Sequence, residues 1–323
     1  MRILYCFIFA LCYLRADSVV NVETLRNIAT KVSSHPLVSS VQRALSRFHN
    51  DNFIDIGENL KTQMWESVQV PQSYTSQPYV AKVYDKPKVL LIMDDLTSLE
   101  QIYKLEHLGL NITPSIFPRT RHNPTTPKLA EYLNKKGKSF MVHLPLEAQQ
   151  FSQSELAPIR VGANKEAIKH ALIGIKADFP HLVYLNNHTG SKFTQSYDDM
   201  RNLLEAFDEL NLKFIDSVTT STPVSERISM EQDRLIMARD VFLDNETHIA
   251  YIKAQIRSLI TKAQNKGYAI AICHPNSGTF QALAQMSDEI KEEIELISPS
   301  DLETYLVANK TLRYVRAPFT RPN

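Results

Sequence analysis

From about residue 88 onward the chain alternates between short apolar runs and longer amphipathic stretches. The apolar runs have the length and composition of buried strands, and they cover residues 89–93, 113–117, 139–143, 183–185, 213–215, 235–238 and 269–273, with a weaker run at 294–297. The stretches between them have helical periodicity and predict helices over residues 99–108, 127–136, 165–178, 197–210, 247–266 and 279–291.

Repeated strand–helix units predict an α/β fold with a parallel sheet. Three glycines each follow a predicted helix, namely Gly109, Gly137 and Gly267. Helices commonly end with a glycine in the left-handed backbone conformation at this position. Seven or eight such units predict a closed or nearly closed (β/α)7–8 barrel. We expect residues 88–306 to form this barrel and residues 307–323 to form a C-terminal tail.

The amino-terminal segment has a different pattern. Arg2 precedes an apolar stretch over residues 3–14, and small residues follow, which predicts a signal peptide over residues 1–17 that is too short to span a bilayer. A buried first helix is the alternative. Residues 18–87 are polar and then rich in turn formers, which indicates a helical or poorly ordered extension and a linker. We therefore expect a secreted or periplasmic protein whose mature chain has no membrane span.

Charge and cysteine content narrow the range of partners and chemistries. With 36 basic and 35 acidic residues, the chain has no excess charge to attract nucleic acid. Cys6 and Cys12 lie within the predicted signal peptide, so only Cys273 would remain and no internal disulfide can form. Cys273 and His274 would face opposite sides of a strand, which favours a packed core thiol over a nucleophile.

Carboxylates and imidazoles lie where the predicted strands end. Asp94 and Asp95 end the first strand, and His143, His188 and His274 end later ones. In α/β barrels these strand ends form the active site. One aspartate can ligate a cation while the other acts as a general base, His143 and His188 can complete the ligand set, and His274 can protonate a leaving group. A turn-capping Asp94 and a hydrogen-bonded core His143 are the structural alternatives.

The order of these motifs resembles that of the divergent polysaccharide deacetylase family. The motifs are MDD at 93–95, HLPLE at 143–147, NNHTGS at 186–191, DS at 216–217, RDVFLD at 239–244 and HP at 274–275. The resemblance covers about residues 88–306. It implies the deformed (β/α) barrel of carbohydrate esterases, which remove N- or O-acetyl groups from glycans, usually with zinc.

The resemblance also implies roles for individual residues. Asp94 would be the base, while Asp95 would bind Zn²⁺ or another divalent transition metal together with His143. The family's usual second histidine is replaced by Glu147. Either Glu147 or His188 is then the third ligand, and we prefer His188 because its NNHTGS motif is the strongest motif of the family and imidazole suits zinc.

Four further residues are candidates for substrate binding. Asn187 could donate to an oxyanion or bond to its own loop, and Asp216 could orient His274, contact a sugar hydroxyl or cap a turn. Arg239 and Asp240 lie in a charged strand end, where Arg239 could clamp a carboxylate or an oxyanion or form a structural pair with an aspartate.

Two functions from different classes follow. The first is a metal-dependent hydrolase that removes acetyl groups from a cell-envelope polysaccharide, with an acetylated glycan as its partner. The alternative is a non-catalytic envelope protein that uses the barrel to bind glycan or a protein partner. Hydrolysis of phosphoesters is a less well supported hypothesis, because no lysine–arginine cluster accompanies the motifs.

Overall fold

The computed structural model describes residues 86–150 and 154–309, and the backbone of four residues closer to the N-terminus. Those four form the antiparallel strands β1 (Val19–Val20) and β2 (Ile54–Asp55). The chain divides into two units, Met1–Lys82 and Val83–Asn323. The predicted signal peptide lies outside the described residues, as do most of the predicted extension and residues 310–323 of the tail.

The second unit contains a parallel sheet and its connecting helices. The strands are β3 (Lys88–Leu96), β4 (Thr113–Ile116), β5 (Met141–Leu146), β6 (Tyr184–Thr189), β7 (Lys213–Asp216), β8 (Met237–Ala238), β9 (Val241–Phe242), β10 (Tyr268–Cys273) and β11 (Glu295–Leu296). The helices are α1 (Leu99–His107), α2 (Thr126–Lys135), α3 (Lys165–Asp178), α4 (Tyr197–Glu209), α5 (Ser225–Gln232), α6 (Ile249–Lys266), α7 (Ser277–Gln285), α8 (Ser287–Glu293) and α9 (Pro299–Ala308). None of these helices combines the length and hydrophobicity that a membrane span needs.

The sheet curls into a deformed barrel. Its strand order is β8-β7-β6-β5-β4-β3-β10-β9, and β11 pairs with β3. The chain passes from the edge strand β8 to the opposite edge strand β9 through Arg239 and Asp240 alone, a connection that spans at most about 11 Å. The Arg239 N–H donates to Asp216 O in β7, and the Asp240 N–H donates to Ile270 O in β10. The two edges therefore lie side by side, and the predicted deformed barrel is confirmed.

Alternation along the strands divides the core into two layers. On β3, Leu90 and Ile92 belong to the inner layer, whereas Val89 and Leu91 belong to the outer layer with the flanking helices. The inner layer comprises Leu90, Ile92, Met141, Tyr184, Ile215, Met237, Tyr268, Ile270, Ile272, Ile297, Leu302 and Leu306. Cys273 is buried in the outer layer, and burial raises the pKa of its thiol, which fits the predicted core thiol.

Helix α9 closes the amino-terminal mouth of the barrel. Its Leu302 and Leu306 complete the inner layer, and Glu303 accepts hydrogen bonds from the Tyr184 hydroxyl and from Lys213 Nζ. Tyr184 and Lys213 are the first residues of β6 and β7. With this end filled, the carboxyl ends of the strands form the open mouth.

The structure departs from the sequence prediction where tertiary contacts outweigh local pattern. Strand β9 and helices α5 and α9 were not predicted, and the predicted helix over 279–291 is two helices that meet at Met286. Strand β6 runs to Thr189, beyond the predicted run at 183–185. Its last residues are polar and line the open mouth, so they lack the apolar pattern from which strands were predicted.

Candidate metal centre

A β-bulge at the end of β3 places two consecutive aspartates around one imidazole. The register with β4 shifts between Met93 and Leu96, and Asp95 adopts a left-handed conformation with φ 59°. As a result, Asp94 Oδ1 lies 3.5 Å from His143 Nδ1 and Asp95 Oδ1 lies 3.3 Å from His143 Nε2. The two carboxylates flank the ring of His143.

Strained backbone recurs around this mouth of the barrel. Thr189 and Val218 are β-branched residues with φ of 51° and 52°, which is rare for such side chains. Strain of this kind persists where surrounding contacts fix it, commonly at functional sites. Gly190 has φ 91°, and a Cβ there would lie 2.9 Å from Leu146 Cβ, which explains the glycine of the NNHTGS motif.

Three potential ligand atoms converge at the open mouth. Asp95 Oδ1, His143 Nε2 and His188 Nδ1 lie 3.3, 3.2 and 3.1 Å apart in the three pairs. In the described residues, these side chains form the group that could hold a metal ion. Ligands of a tetrahedral zinc at about 2.1 Å from the ion lie roughly 3.4 Å from one another, close to the observed spacing.

The donor chemistry also fits a cation. Asp95 Oδ1 is buried, and among the described residues no donor is aligned to hydrogen-bond with it. The two ring nitrogens face both this oxygen and each other. A divalent cation would satisfy all three atoms, and the set of two imidazoles and one carboxylate suits a transition metal.

Asn186 holds the opposite side of His143. Its Nδ2 donates to both oxygens of Asp94, each at 2.9 Å, and to Ser217 Oγ at 3.0 Å. Its Oδ1 accepts from Ser115 Oγ at 2.6 Å and lies 3.2 Å from His143 Nδ1. The His143 ring is thereby fixed with Nε2 turned towards Asp95 and His188.

His274 approaches the ligand group from β10. Its Nε2 lies 4.0 Å from Asp95 Oδ2, and its Nδ1 lies 3.0 Å from Asp244 Oδ1. Asp244 Oδ2 also accepts from the His274 N–H and from Thr279 Oγ1, each at 2.7 Å. Asp216 was one expected partner of His274, but Asp244 is the carboxylate that holds it.

Burial and mutual charge shift the pKa values of the cluster. Burial lowers the pKa of His274, but the hydrogen bond and charge of Asp244, with the charges of Asp94 and Asp95, raise it to about 9. Burial raises the pKa of Asp94, and the nearby histidines offset only part of this. Burial also raises the pKa of Asp95, but its contacts with His143 and His188 prevail and keep it below its usual range.

The two imidazoles of the ligand group respond in opposite directions. Burial lowers the pKa of His143, but the charges of Asp94 and Asp95 outweigh burial and raise it. Burial lowers the pKa of His188, with a smaller contribution from His143 in the same direction. The neutral form that binds a metal is therefore favoured at His188.

Glu147 lies beside the ligand group and has other partners. Its carboxylate binds Lys192 Nζ at 2.6 Å and accepts from the Val161 N–H at 2.8 Å. Of the two alternatives for the third ligand, the structure brings His188 into the group. A cavity of about 270 Å³ opens next to His188, and Glu147 and Arg160 are among the residues that line it.

The predicted substrate-binding residues have partners within the protein. Asn187 accepts from the Ser217 N–H at 2.8 Å and donates to Thr189 O at 2.7 Å, and Asp216 caps the Val218 N–H at 2.7 Å. Contact of these two residues with a substrate stays a prediction.

The charged pair at the end of β8 joins the two edges of the sheet. Arg239 donates to Ser217 O and Val218 O, at 2.7 and 2.8 Å. Asp240 binds Lys266 Nζ at 3.0 Å and accepts from the Ile270 N–H at 2.9 Å. Asp240 thus contacts β10 and α6, and a substrate contact by Arg239 or Asp240 also stays a prediction.

Sequence reasoning left Asn186 and Phe117 out of the site. Asn186 shares the inward face of β6 with Tyr184 and His188, two residues away on either side, and this period-two pattern could have found it. The Phe117 ring packs against His143 and His188, with centroid distances of 5.4 and 4.8 Å. It follows β4 directly, and the sequence offered only its apolar character.

Comparison with known proteins gives a family match and several similar proteins. The model of the family described as "Divergent polysaccharide deacetylase" matches residues 91–302. The uncharacterized protein YibQ of Escherichia coli (strain K12) is 29% identical over 180 residues, which cover 56% of each chain. The chain thus spans about half the length of this relative.

Two further proteins extend the comparison. An uncharacterized protein of Haemophilus influenzae is 24% identical over 230 residues, which cover 71% of this chain and 81% of that one. The crystal structure of an uncharacterized protein from Agrobacterium tumefaciens C58 has a TM-score of 0.61 at 18% identity, and covers 70% of this chain and 92% of that one. The structural match supports the fold assigned above.

Proposed function

Since the chain belongs to the divergent polysaccharide deacetylase family, we propose that it is a metal-dependent hydrolase that removes acetyl groups from a cell-envelope polysaccharide. The observation that carries the proposal is the convergence of Asp95, His143 and His188 at the open mouth of the barrel. These three residues would hold a divalent cation, which would supply Lewis-acid polarisation of a carbonyl oxygen and would lower the pKa of water to about 7.

Asp94 and His274 divide the proton transfers in this proposal. Asp94 accepts a proton from the attacking water, and burial supports this role by raising the pKa of its carboxyl. The water oxygen bonds to the acetyl carbon, and the bond from that carbon to the glycan nitrogen or oxygen breaks. His274 gives its proton to the departing atom, so the products are acetate and a free amine or hydroxyl.

Asp244 and the lining of the cavity support the same reaction. Asp244 binds His274 Nδ1, which leaves Nε2, the atom nearer Asp95, to deliver the proton. The cavity of about 270 Å³ beside His188 offers space for a sugar ring, and Arg160 and Gln149 are polar residues in its lining. Acetylated glycans are therefore the substrate class that we propose.

Turnover on a panel of acetylated glycans and chromogenic acetate esters tests the proposal, with zinc, cobalt or manganese added to metal-stripped protein. We expect Asp95→Ala to lose bound metal and activity together. Glu147→Gln is the matched control, because it removes a nearby carboxylate that lies outside the ligand group, and it should keep the metal. Unchanged metal content in Asp95→Ala would contradict the assignment of Asp95 as a metal ligand.

One observation favours a non-catalytic envelope protein as a second candidate. Asp94 is 1% exposed and both of its oxygens accept from Asn186, so the protein itself shields the proposed base. In this case the barrel would bind glycan or a protein partner without reaction. Binding to the glycan panel with no turnover under any of the three metals would select this function over the first.

Export is a further part of the proposal, and its support is the sequence of residues 1–17. The substrate that we propose, a cell-envelope polysaccharide, would lie outside the cytoplasm, so the proposed activity requires a secreted or periplasmic protein. We expect the mature chain to begin near Asp17 or Ser18, and N-terminal sequencing of the exported protein measures this. Recovery of a chain that keeps Met1 from the cytosol would contradict it.

A further inference from the structure

The carboxamide of Asn186 has no spare hydrogen-bonding capacity. A carboxamide offers two donor hydrogens and two acceptor lone pairs. One hydrogen points to the Asp94 carboxylate and the other to Ser217 Oγ, while the oxygen faces Ser115 Oγ and His143 Nδ1. Asn186 is fully buried, so water cannot replace any of these partners.

Asp94 fixes which way round the carboxamide lies. At most one oxygen of a carboxyl group can carry a hydrogen, and both oxygens of Asp94 lie 2.9 Å from Asn186 Nδ2, so at least one of them can only accept. Rotation of the amide by half a turn would set its oxygen against those two oxygens. The amide oxygen must therefore face Ser115 and His143.

The position of the amide oxygen determines which nitrogen of the His143 ring carries the hydrogen. The amide oxygen cannot donate, so the contact at 3.2 Å is a hydrogen bond only if His143 Nδ1 carries the hydrogen. A neutral imidazole with its hydrogen on Nδ1 has its lone pair on Nε2. Nε2 is the atom that faces Asp95 Oδ1 and His188 Nδ1.

We propose that Asn186 is a positioning residue that sets the tautomer of His143, so that Nε2 presents its lone pair to a metal ion. The inference rests on the proposed metal site, and it adds a residue that touches neither metal nor substrate. Removal of a partner that orients a metal-binding histidine typically lowers metal affinity about 10–100-fold. Asn186→Leu, which keeps the approximate shape and removes every polar contact, should lower zinc affinity by that factor.

Zinc affinity is measured by competition between metal-stripped protein and a chromophoric chelator. Ser115→Ala is the matched control, because it removes a donor to the same amide oxygen and leaves the contacts with His143 and Asp94. We expect its zinc affinity to stay within about threefold of wild type. Equal affinity in wild type and a folded Asn186→Leu variant would overturn the proposal.

Nitrogen-15 NMR of the histidine rings gives a readout that needs neither metal nor turnover. In metal-free protein, at a pH where the ring is neutral, His143 should carry its hydrogen on Nδ1, and Asn186→Leu should shift it towards a mixture of tautomers. His143→Gln assigns the signals. A hydrogen on Nε2 in wild type would refute the inference, whereas failure of wild type to bind any metal would count against the proposed function alone.

Asn186→Asp tests the same idea if the leucine variant does not fold. It keeps an acceptor opposite His143 Nδ1, and one proton shared between the new carboxyl group and Asp94 replaces the amide hydrogen that linked them. We expect the hydrogen to stay on Nδ1 and zinc affinity to remain within about tenfold of wild type. Movement of the hydrogen to Nε2 in this variant would overturn the proposal.

Discussion

Replacement of Asp244 by asparagine in the metal-free protein measures how strongly this carboxylate controls His274. The change keeps the shape of the side chain and removes the negative charge that lies 3.0 Å from His274 Nδ1. In wild type, burial lowers the pKa of His274, while Asp244 and then Asp94 and Asp95 raise it to about 9 from its ordinary value of 6.5. Asp244 contributes the largest raising effects, so its loss should lower the pKa of His274 more than the loss of any other single partner.

The free energy follows from the same difference. A rise from 6.5 to about 9 is about 2.5 pKa units, or roughly 3 kcal/mol at 1.36 kcal/mol per unit. Because the folded-state pKa of His274 is raised, this stabilisation is fully present below about pH 6.5 and is lost as the pH rises through about 9. Most of this pH-dependent stabilisation should be missing from Asp244→Asn.

NMR titration of the His274 ring, assigned with His274→Gln, gives the pKa directly, and urea unfolding at pH 6 and pH 9.5 gives the linked stability. Asp216→Asn is the matched control, since Asp216 is a buried aspartate whose side chain caps Val218. It should leave the pKa of His274 near 9. A wild-type pKa near 6.5, or equal shifts in the two variants, would refute the reasoning.

Three other predictions concern the site and the barrel. Asp94→Asn should keep the metal and lose about 10²–10⁴-fold in activity, whereas Asp95→Asn should lose metal affinity; metal analysis showing the reverse would exchange their roles. Gly278→Ala should destabilise the fold by about 1–3 kcal/mol in urea unfolding, because a Cβ would lie 2.4 Å from Thr247 O. An unchanged midpoint of unfolding would contradict this close approach. Leu302→Ala should cost about 2–5 kcal/mol, since the side chain is fully buried in the inner layer, and a loss below 1 kcal/mol would show that α9 is not part of the core.

The elements with a long periodic signal were predictable from the sequence. Helix α3 has the predicted bounds of 165–178, and β10 begins one residue before the predicted run at 269–273. Strand β9 has two residues and forms through its pairing with β10. A segment this short carries no periodicity, so its structure depends on contacts distant in sequence.

The three residues of the candidate metal group were predictable from the sequence, but the contacts around them were not. Asp95, His143 and His188 were identified because they lie at the ends of predicted strands, and the structure brings them together. The sequence suggested Asp216 as a partner of His274, whereas Asp244 holds it because β9 joins β10 at the edge of the sheet, and no local pattern encodes this pairing. The bulge that turns Asp94 and Asp95 towards one ring is likewise a feature of strand pairing.

The direct passage from β8 to β9 also bears on self-association. Free edges of a sheet can template pairing with another molecule and so promote aggregation. Here both edge strands have two residues each, and the intervening N–H groups of Arg239 and Asp240 donate to the neighbouring strands. The barrel described here therefore offers an incoming strand very little free edge, and a single proteolytic cut between Arg239 and Asp240 would release both edges at once.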